Sequence, residues 1–269
     1  MRSCQISVAD SSAWGGNAPT NLFTGRRMSV TIREARFQDH HHHILYDPAL
    51  LPEPSAACFD PDDWLQQAAC TPVGAGRGTA WFIGPQPHAW VLRRYRRGGL
   101  PGKLIRDHYW HSSLALSRPW REFRISARLY ALGLPVPRPV AACLTRHGLT
   151  DTGALITCRI PDAQSLGERM LAGGLTPGDW QAVGQTIARL HREQVWHADL
   201  NVHNLLCDPQ DIWYIIDLDR ARFRRGHFWR AGNLQRLRRS VDKLRKQAPD
   251  AGFTENDWAA LIHGHTEAL

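Results

Sequence analysis

Apolar positions follow two regimes along this chain. Up to about residue 160 they come as short runs broken by Gly and Pro; beyond it they recur at helical spacing. Residues 79–83 and 89–92 read as short strands around a turn that contains Pro85 and Pro87. Residues 120–132 read as a helix, with Gly133 suited to its C-terminal stop. The following Leu134-Pro-Val-Pro-Arg-Pro has no helical option and is expected as an extended connector. Residues 154–160 form an apolar strand that Pro161-Asp162 breaks. In 180–191 the residues Val183, Ile187 and Leu190 share one helical face. Strands at 205–207 and 212–216 are joined by Asp208-Pro-Gln-Asp, a strong turn sequence, and 233–246 is helical again. Residues 1–36 lack a periodic pattern and are rich in Ser, Gly, Asn and Thr. They read as a disordered leader, with Met28 an alternative start and order beginning near Phe37. A sheet-rich half before a helix-rich half predicts an α+β fold with two lobes, residues 37–160 and 161–269.

Composition narrows the partners. Of 269 residues, 43% are hydrophobic, enough for a substantial core. The formal charge of +8 calls for an anion: nucleotide phosphates, a phosphorylated substrate, an acidic membrane or nucleic acid. Nucleic acid is disfavoured because there is no recognition module or aromatic-basic repeat. The six cysteines, at 4, 58, 70, 143, 158 and 207, have neither metal-ligand nor redox spacing. They read as reduced thiols of a cytosolic protein. No apolar run approaches the roughly 18 residues of a membrane span, and the N-terminus lacks the apolar core of a signal peptide. The unpatterned histidines 40–43 suggest at most an adventitious metal contact.

The chemistry concentrates in His197-Ala-Asp199-Leu-Asn201-Val-His-Asn204, followed by Ile215-Ile216-Asp217-Leu-Asp219. Phosphoryl transfer needs a carboxylate beside the acceptor hydroxyl and oxygen ligands for Mg²⁺. A loop–strand–turn–strand arrangement brings Asp199, Asn204 and Asp217 to one end of a hairpin. Any one of these residues alone would more often be a cap or turn former; the set at this spacing is not. The spacing resembles the catalytic loop and metal motif of the protein-kinase fold. That resemblance implies Asp199 as catalytic base, His197 and Asn201 as supporting loop residues, and Asn204 and Asp217 as metal ligands. Asn201 stands where protein kinases have lysine and Asp219 where they have glycine, which favours a small-molecule or glycolipid acceptor.

Two further features fit an ATP site. Gly74, Gly76 and Gly78 precede a strand and would let backbone N–H groups approach phosphates. Arg93 ends the next strand and Glu122 lies in the following helix, the counterparts of a phosphate-clamping cation and its partner. Lys103 is the rival cation.

Longer strings resemble a narrower family. Leu92-Arg-Arg-Tyr-Arg-Arg-Gly-Gly-Leu-Pro-Gly-Lys-Leu, Arg121-Glu122-Phe123, Gly133-Leu-Pro-Val-Pro-Arg-Pro, His197-Ala-Asp-Leu-Asn, Ile216-Asp-Leu-Asp and Asn233-Leu-Gln-Arg-Leu-Arg-Arg-Ser are similar to 3-deoxy-D-manno-octulosonic acid (Kdo) kinases, from about Asp60 to Lys246. The resemblance implies transfer of the ATP γ-phosphate, with Mg²⁺, to the 4-hydroxyl of Kdo on a lipid A precursor. It also implies a peripheral site at the cytoplasmic face of the inner membrane, in lipopolysaccharide core synthesis, with no obligate protein partner. The charge map is compatible: residues 220–246 hold eleven Lys or Arg against one acid, Asp242. Beside them Leu234, Leu237, Val241 and Leu244 form a stripe expected to pack on the domain. A heptose-directed lipopolysaccharide kinase, an atypical protein kinase and a non-catalytic pseudokinase are the alternative readings.

Overall fold

The structure is a computed structural model that describes residues 32–73, 80–84, 89–95, 113–147 and 150–269. Gly74, Gly76, Gly78, Lys103, the turn around Pro85 and Pro87, and residues 1–31 lie outside the described residues. The chain forms two compact units. One runs to Gly133 and includes Arg138–Arg159; the other is Leu134–Pro137 with Ile160–Leu269.

The first unit is built on a seven-stranded antiparallel sheet. Its strands are β1 (Ala35–Gln38), β2 (His42–Tyr46), β3 (Cys70–Pro72), β4 (Ala80–Ile83), β5 (Trp90–Arg94), β6 (Pro139–His147) and β7 (Thr150–Cys158), ordered β1-β2-β6-β7-β5-β4-β3. Helices α1 (Pro61–Gln66) and α2 (Arg118–Ala131) complete it. Alternate residues of each central strand enter different cores. Ile44, Ala141 and Ile156 pack with Trp64 of α1 and Trp90, while Leu45, Ala142 and Leu155 pack with Trp120 and Phe123 of α2. Apolar cover on both faces explains why the central strands read as apolar runs rather than as alternation. Helix α2 stops as expected: Gly133 takes φ +73° and donates to the Tyr130 carbonyl at 2.9 Å.

The second unit is mostly helical, with α3 (Leu166–Ala172), α4 (Pro177–Arg192), α5 (Phe228–Gln247) and α6 (Glu255–Glu267). Its strands are β8 (Gln164–Ser165), β9 (Val195–Trp196), β10 (Leu205–Cys207), β11 (Trp213–Ile215) and β12 (Arg222–Phe223), paired as β11-β10-β8 and β12-β9. The expected α+β class, a sheet-rich part followed by a mostly helical one, is what the structure has. Capping boxes at Ser165/Glu168, Thr176/Asp179 and Thr254/Asp257 start α3, α4 and α6. The proline connector is extended, and the Pro135 carbonyl accepts from Ile215 N–H at 2.9 Å. On α5, Leu234, Leu237 and Val241 are buried and pack on the domain as expected, while Leu244, the fourth member of the stripe, is half-buried.

Helices α4 and α6 touch at two glycines. A Cβ added to Gly184 would overlap the Leu261 carbonyl oxygen and stand 2.8 Å from His265 N; one added to Gly264 would overlap the Gln181 carbonyl oxygen. Both clashes are with backbone, which cannot rotate away. Gly184→Ala is therefore expected to destabilise the protein by at least about 3 kcal/mol. Denaturant unfolding checks this, and a loss below about 1 kcal/mol would show that the helices separate easily.

Candidate active site

In the first unit, β5 is hydrogen-bonded between β4 and β7, with Arg93 opposite Ala80 and Leu155. The Arg93 guanidinium donates to one oxygen of Glu122, and the Tyr95 hydroxyl donates to the other. Glu122 is buried at 3% exposure, so this carboxylate needs such partners. Arg93 also lies over the Tyr95 ring, 5.2 Å from its centroid. The structure thus joins the two sequence-predicted members of this pair.

The loop of the second unit is shaped by its own backbone and amides. Leu200 and Val202 are buried and anchor it, while Asp199 is exposed. The Asp199 carbonyl accepts from Asn201 Nδ2 at 3.0 Å and from Asn204 Nδ2 at 2.9 Å. Asn201 Oδ1 accepts from His203 N–H at 2.8 Å, so this amide closes the turn. The Asn204 carbonyl accepts from Ile216 N–H at 3.0 Å. Leu205 pairs with Ile215, which puts Asn204 and the segment leading to Asp217 at the same end of the β10–β11 hairpin. At the hairpin's other end Asp208 organises the turn. Its Oδ1 accepts from Gln210 and Ile212 N–H, and its Oδ2 from the Tyr214 hydroxyl.

His197 ties the loop to the hairpin. Its Nδ1 accepts from Asp199 N–H at 3.1 Å, so Nε2 carries the proton and donates to the Ile216 carbonyl at 3.1 Å. Both backbone groups of Ile216, the residue before Asp217, are therefore held. Asp217 itself takes φ +60°, left-handed backbone that Asp tolerates better than most residues. Burial pushes the His197 pKa below its usual value and keeps the ring neutral.

A buried polar chain runs behind the loop. Asn233 of α5 accepts from His197 N–H at 3.0 Å through Oδ1 and donates to the His197 carbonyl at 2.7 Å through Nδ2. That backbone pair fixes the amide's orientation. His191 Nε2, 3.3 Å from the same Oδ1, must then be a donor, which makes His191 Nδ1 the acceptor for His265 Nε2–H at 2.8 Å. Burial is the main cause that lowers the pKa of His191 to about 3 and of His265 to about 4. The unfolded chain takes up these protons below roughly pH 6.5, whereas the folded chain resists them until about pH 4 or 3. Stability is accordingly present above about pH 6.5 and falls as the pH drops through that window. Thermal unfolding should show a lower Tm at pH 5 than at pH 7, and His265→Gln, with no imidazole to titrate, should flatten the slope.

A residue to which the sequence reading gave no role also meets the loop. Arg236 of α5 donates to Asp199 Oδ1 from Nε at 3.1 Å, and its Nη2 lies 2.9 Å from the same oxygen as an ion pair. Asp199, Asn201, His203, Arg236, Arg239 and Lys243 help line a groove of about 370 Å³. Elsewhere, His42 Nδ1 is hydrogen-bonded to Asp39, and among the described residues no three His, Cys, Asp or Glu side chains cluster as a metal site. Among the described residues, too, no helix is long and apolar enough to cross a membrane.

Residues 62–265 match the lipopolysaccharide kinase (Kdo/WaaP) family. The chain belongs to this family. The match extends beyond α5 into α6, as far as His265. Among relatives, the 3-deoxy-D-manno-octulosonic acid kinase of Vibrio vulnificus strain CMCP6 is 39% identical over 222 residues, 82% of this chain and 94% of that one. The protein of the same name from Xanthomonas axonopodis pv. citri is 43% identical over 205 residues, 75% of this chain and 81% of that one. A solved structure of the bifunctional kinase-methyltransferase WbdD aligns with TM-score 0.41 and 16% identity; the match covers 71% of this kinase-family chain and 42% of the WbdD chain.

Proposed function

We propose that this protein transfers the γ-phosphate of ATP to the 4-hydroxyl of a Kdo residue on a lipid A precursor, in lipopolysaccharide core synthesis. Family membership and the names of the relatives support the acceptor class. The observation that carries the reading is the backbone-locked set of Asp199, Asn204 and Asp217 around the buried, neutral His197.

The donor set suits Mg²⁺. Asn204 Nδ2 is engaged by the Asp199 carbonyl, which leaves the amide oxygen as its ligand atom, and Asp217, which follows the strand end paired with Leu205, would add a carboxylate. One carboxylate and one amide oxygen are typical of Mg²⁺ that completes its shell with substrate phosphates and water. Bound there, the metal would supply charge neutralisation for the phosphates. Asp199 orients the acceptor hydroxyl and takes its proton as the oxygen bonds to phosphorus and ADP leaves. Arg236 holds one carboxylate oxygen of Asp199, and the other is the acceptor of that proton. On the first unit, Arg93, fixed by Glu122, binds a nucleotide phosphate. Gly74, Gly76 and Gly78, which lie outside the described residues, are assigned to the phosphates by the resemblance alone. Most of the rate gain comes from positioning and electrostatics.

Peripheral attachment to the cytoplasmic face of the inner membrane belongs to the same proposal. Its support is the basic segment 220–246, beside which Phe223 and Phe228 are exposed. Labelled ATP offered with Kdo–lipid A, a heptose-bearing glycolipid and a generic protein tests the acceptor. Label is expected in the Kdo glycolipid, and preferential labelling of either of the others would overturn the assignment.

A further inference from the structure

Helix α5 grips the catalytic loop at three points along one face. Asn233 pairs with the His197 backbone, Arg236 holds Asp199, and Ser240 Oγ accepts from Val202 N–H at 3.2 Å. Positions 233, 236 and 240 are spaced i, i+3 and i+7, so the helix register is fixed against the loop. Any side chain on the adjoining strip is thereby placed relative to Asp199.

That strip carries Arg239 and Lys243, one helical turn apart, both exposed and both lining the groove that contains Asp199. Their neighbour Arg238 is used structurally, with Asp242 at 3.1 Å, a second ion pair to Glu255, and the Phe253 and Trp258 rings nearby. Among the described residues Arg239 and Lys243 have no such acidic partner. Among the described residues the sole acid lining the groove is Asp199, which Arg236 already engages. The groove's about 370 Å³ is within the range of small-ligand sites. A pocket with two uncompensated cations beside a proton-accepting carboxylate is complementary to a ligand that brings its own negative charge next to its reacting hydroxyl.

We propose that Arg239 and Lys243 bind the carboxylate of the sugar-acid acceptor and thereby select an acidic sugar over a neutral one. The inference rests on the Kdo-kinase reading and names the determinants of its acceptor choice. A sugar acid carries its carboxylate on the same small ring system as the hydroxyl to be phosphorylated, so both fit one groove. The lipid phosphates lie on other sugars of the glycolipid. Charge-assisted hydrogen bonds of this kind account for roughly 10- to 100-fold in affinity.

The test compares the full-length protein with Arg239→Gln, Lys243→Gln and the double variant, using acceptor binding and transfer as separate readouts. Three acceptors are used: intact Kdo–lipid A, its carboxyl methyl ester, and the same glycolipid with the lipid phosphates removed. The double variant should bind the intact acceptor about 10- to 100-fold more weakly, with the KM for ATP little changed. The methyl ester should weaken binding to the unaltered protein by a similar factor and add less than about threefold in the double variant. Arg239→Lys with Lys243→Arg, which keeps both charges, should restore most of the binding and shows that any loss is not misfolding.

Losses from esterification and from the double variant that multiply would overturn the assignment. So would a loss that follows removal of the lipid phosphates, or one that falls on the KM for ATP. Carboxylate-dependent binding through Arg239 and Lys243 without phosphate transfer would uphold the pocket and reject the kinase reading. Absence of any binding to intact acceptor would reject both.

Discussion

Asp199→Asn is expected to lower phosphate transfer at least about 1,000-fold while leaving the fold intact. A positioned general base contributes roughly 10²- to 10⁴-fold, and losing the hydroxyl's orientation adds to that. Asparagine is nearly isosteric but does not take the proton. The fold should be indifferent because the loop does not use this carboxylate for its shape. The Asp199 amide serves His197 Nδ1, and its carbonyl serves Asn201 and Asn204. The side chain is 57% exposed, and its partner Arg236 is 44% exposed. An exposed pair of this kind contributes little to stability. Steady-state transfer and thermal unfolding check the two halves of the expectation. Activity above about a tenth of the original would remove Asp199 from the base role. A large drop in Tm would make it structural.

Asp217→Asn is the second large effect, with an expected loss of about 1,000-fold at low Mg²⁺ that excess Mg²⁺ partly recovers. Asparagine is the informative replacement because position 217 has φ +60°, a conformation Asn adopts readily and Ala resists. Ala would mix backbone strain with lost chemistry, whereas Asn removes the charge alone. The backbone should stay in place, since the Ile216 N–H is held by the Asn204 carbonyl and the Ile216 carbonyl by His197. A Mg²⁺ titration of activity is the readout. The half-saturating concentration should rise at least about tenfold when the charged ligand becomes neutral. An unchanged Mg²⁺ dependence would contradict the metal-ligand role.

Periodic elements were the most legible in the sequence. The helix expected at 180–191 is the core of α4, and the strand at 205–207 coincides with β10. Both combine a clear hydrophobic rhythm with strong punctuation. Strand β6 was harder to see because its first six residues are all buried, so no alternation marks it. Strand β1 is an edge strand whose Arg36, Phe37 and Gln38 are exposed, and a solvated edge has no period to detect. Helix α6 contacts α4 through Gly264, so close backbone approach replaces the apolar stripe that usually signals a packed helix. Its capping box, Thr254 with Asp257, was the available signal.

The candidate site divides the same way. Asp199, Asn204 and Asp217 are close in sequence and carry a recognisable spacing. Arg236, Asn233 and His265 act on the loop from 36 or more positions away, and such contacts exist only once α5 and α6 have packed. A histidine that will be buried beside another, as His191 is beside His265, looks in sequence like any other. For Asn233 and Arg236 the signal was indirect: both fall in the string that resembled Kdo kinases. Arg93 and Glu122 lie between these cases. They are 29 residues apart, yet the strand–helix order of the first unit was enough to pair them.

The most direct test of the account is mass spectrometry of a Kdo–lipid A acceptor after incubation with the protein and Mg-ATP. The expected product gains one phosphoryl group, which fragmentation places on the Kdo 4-hydroxyl, and Asp199→Asn yields none. An unchanged acceptor mass, or a phosphate on another sugar, would contradict the proposed reaction.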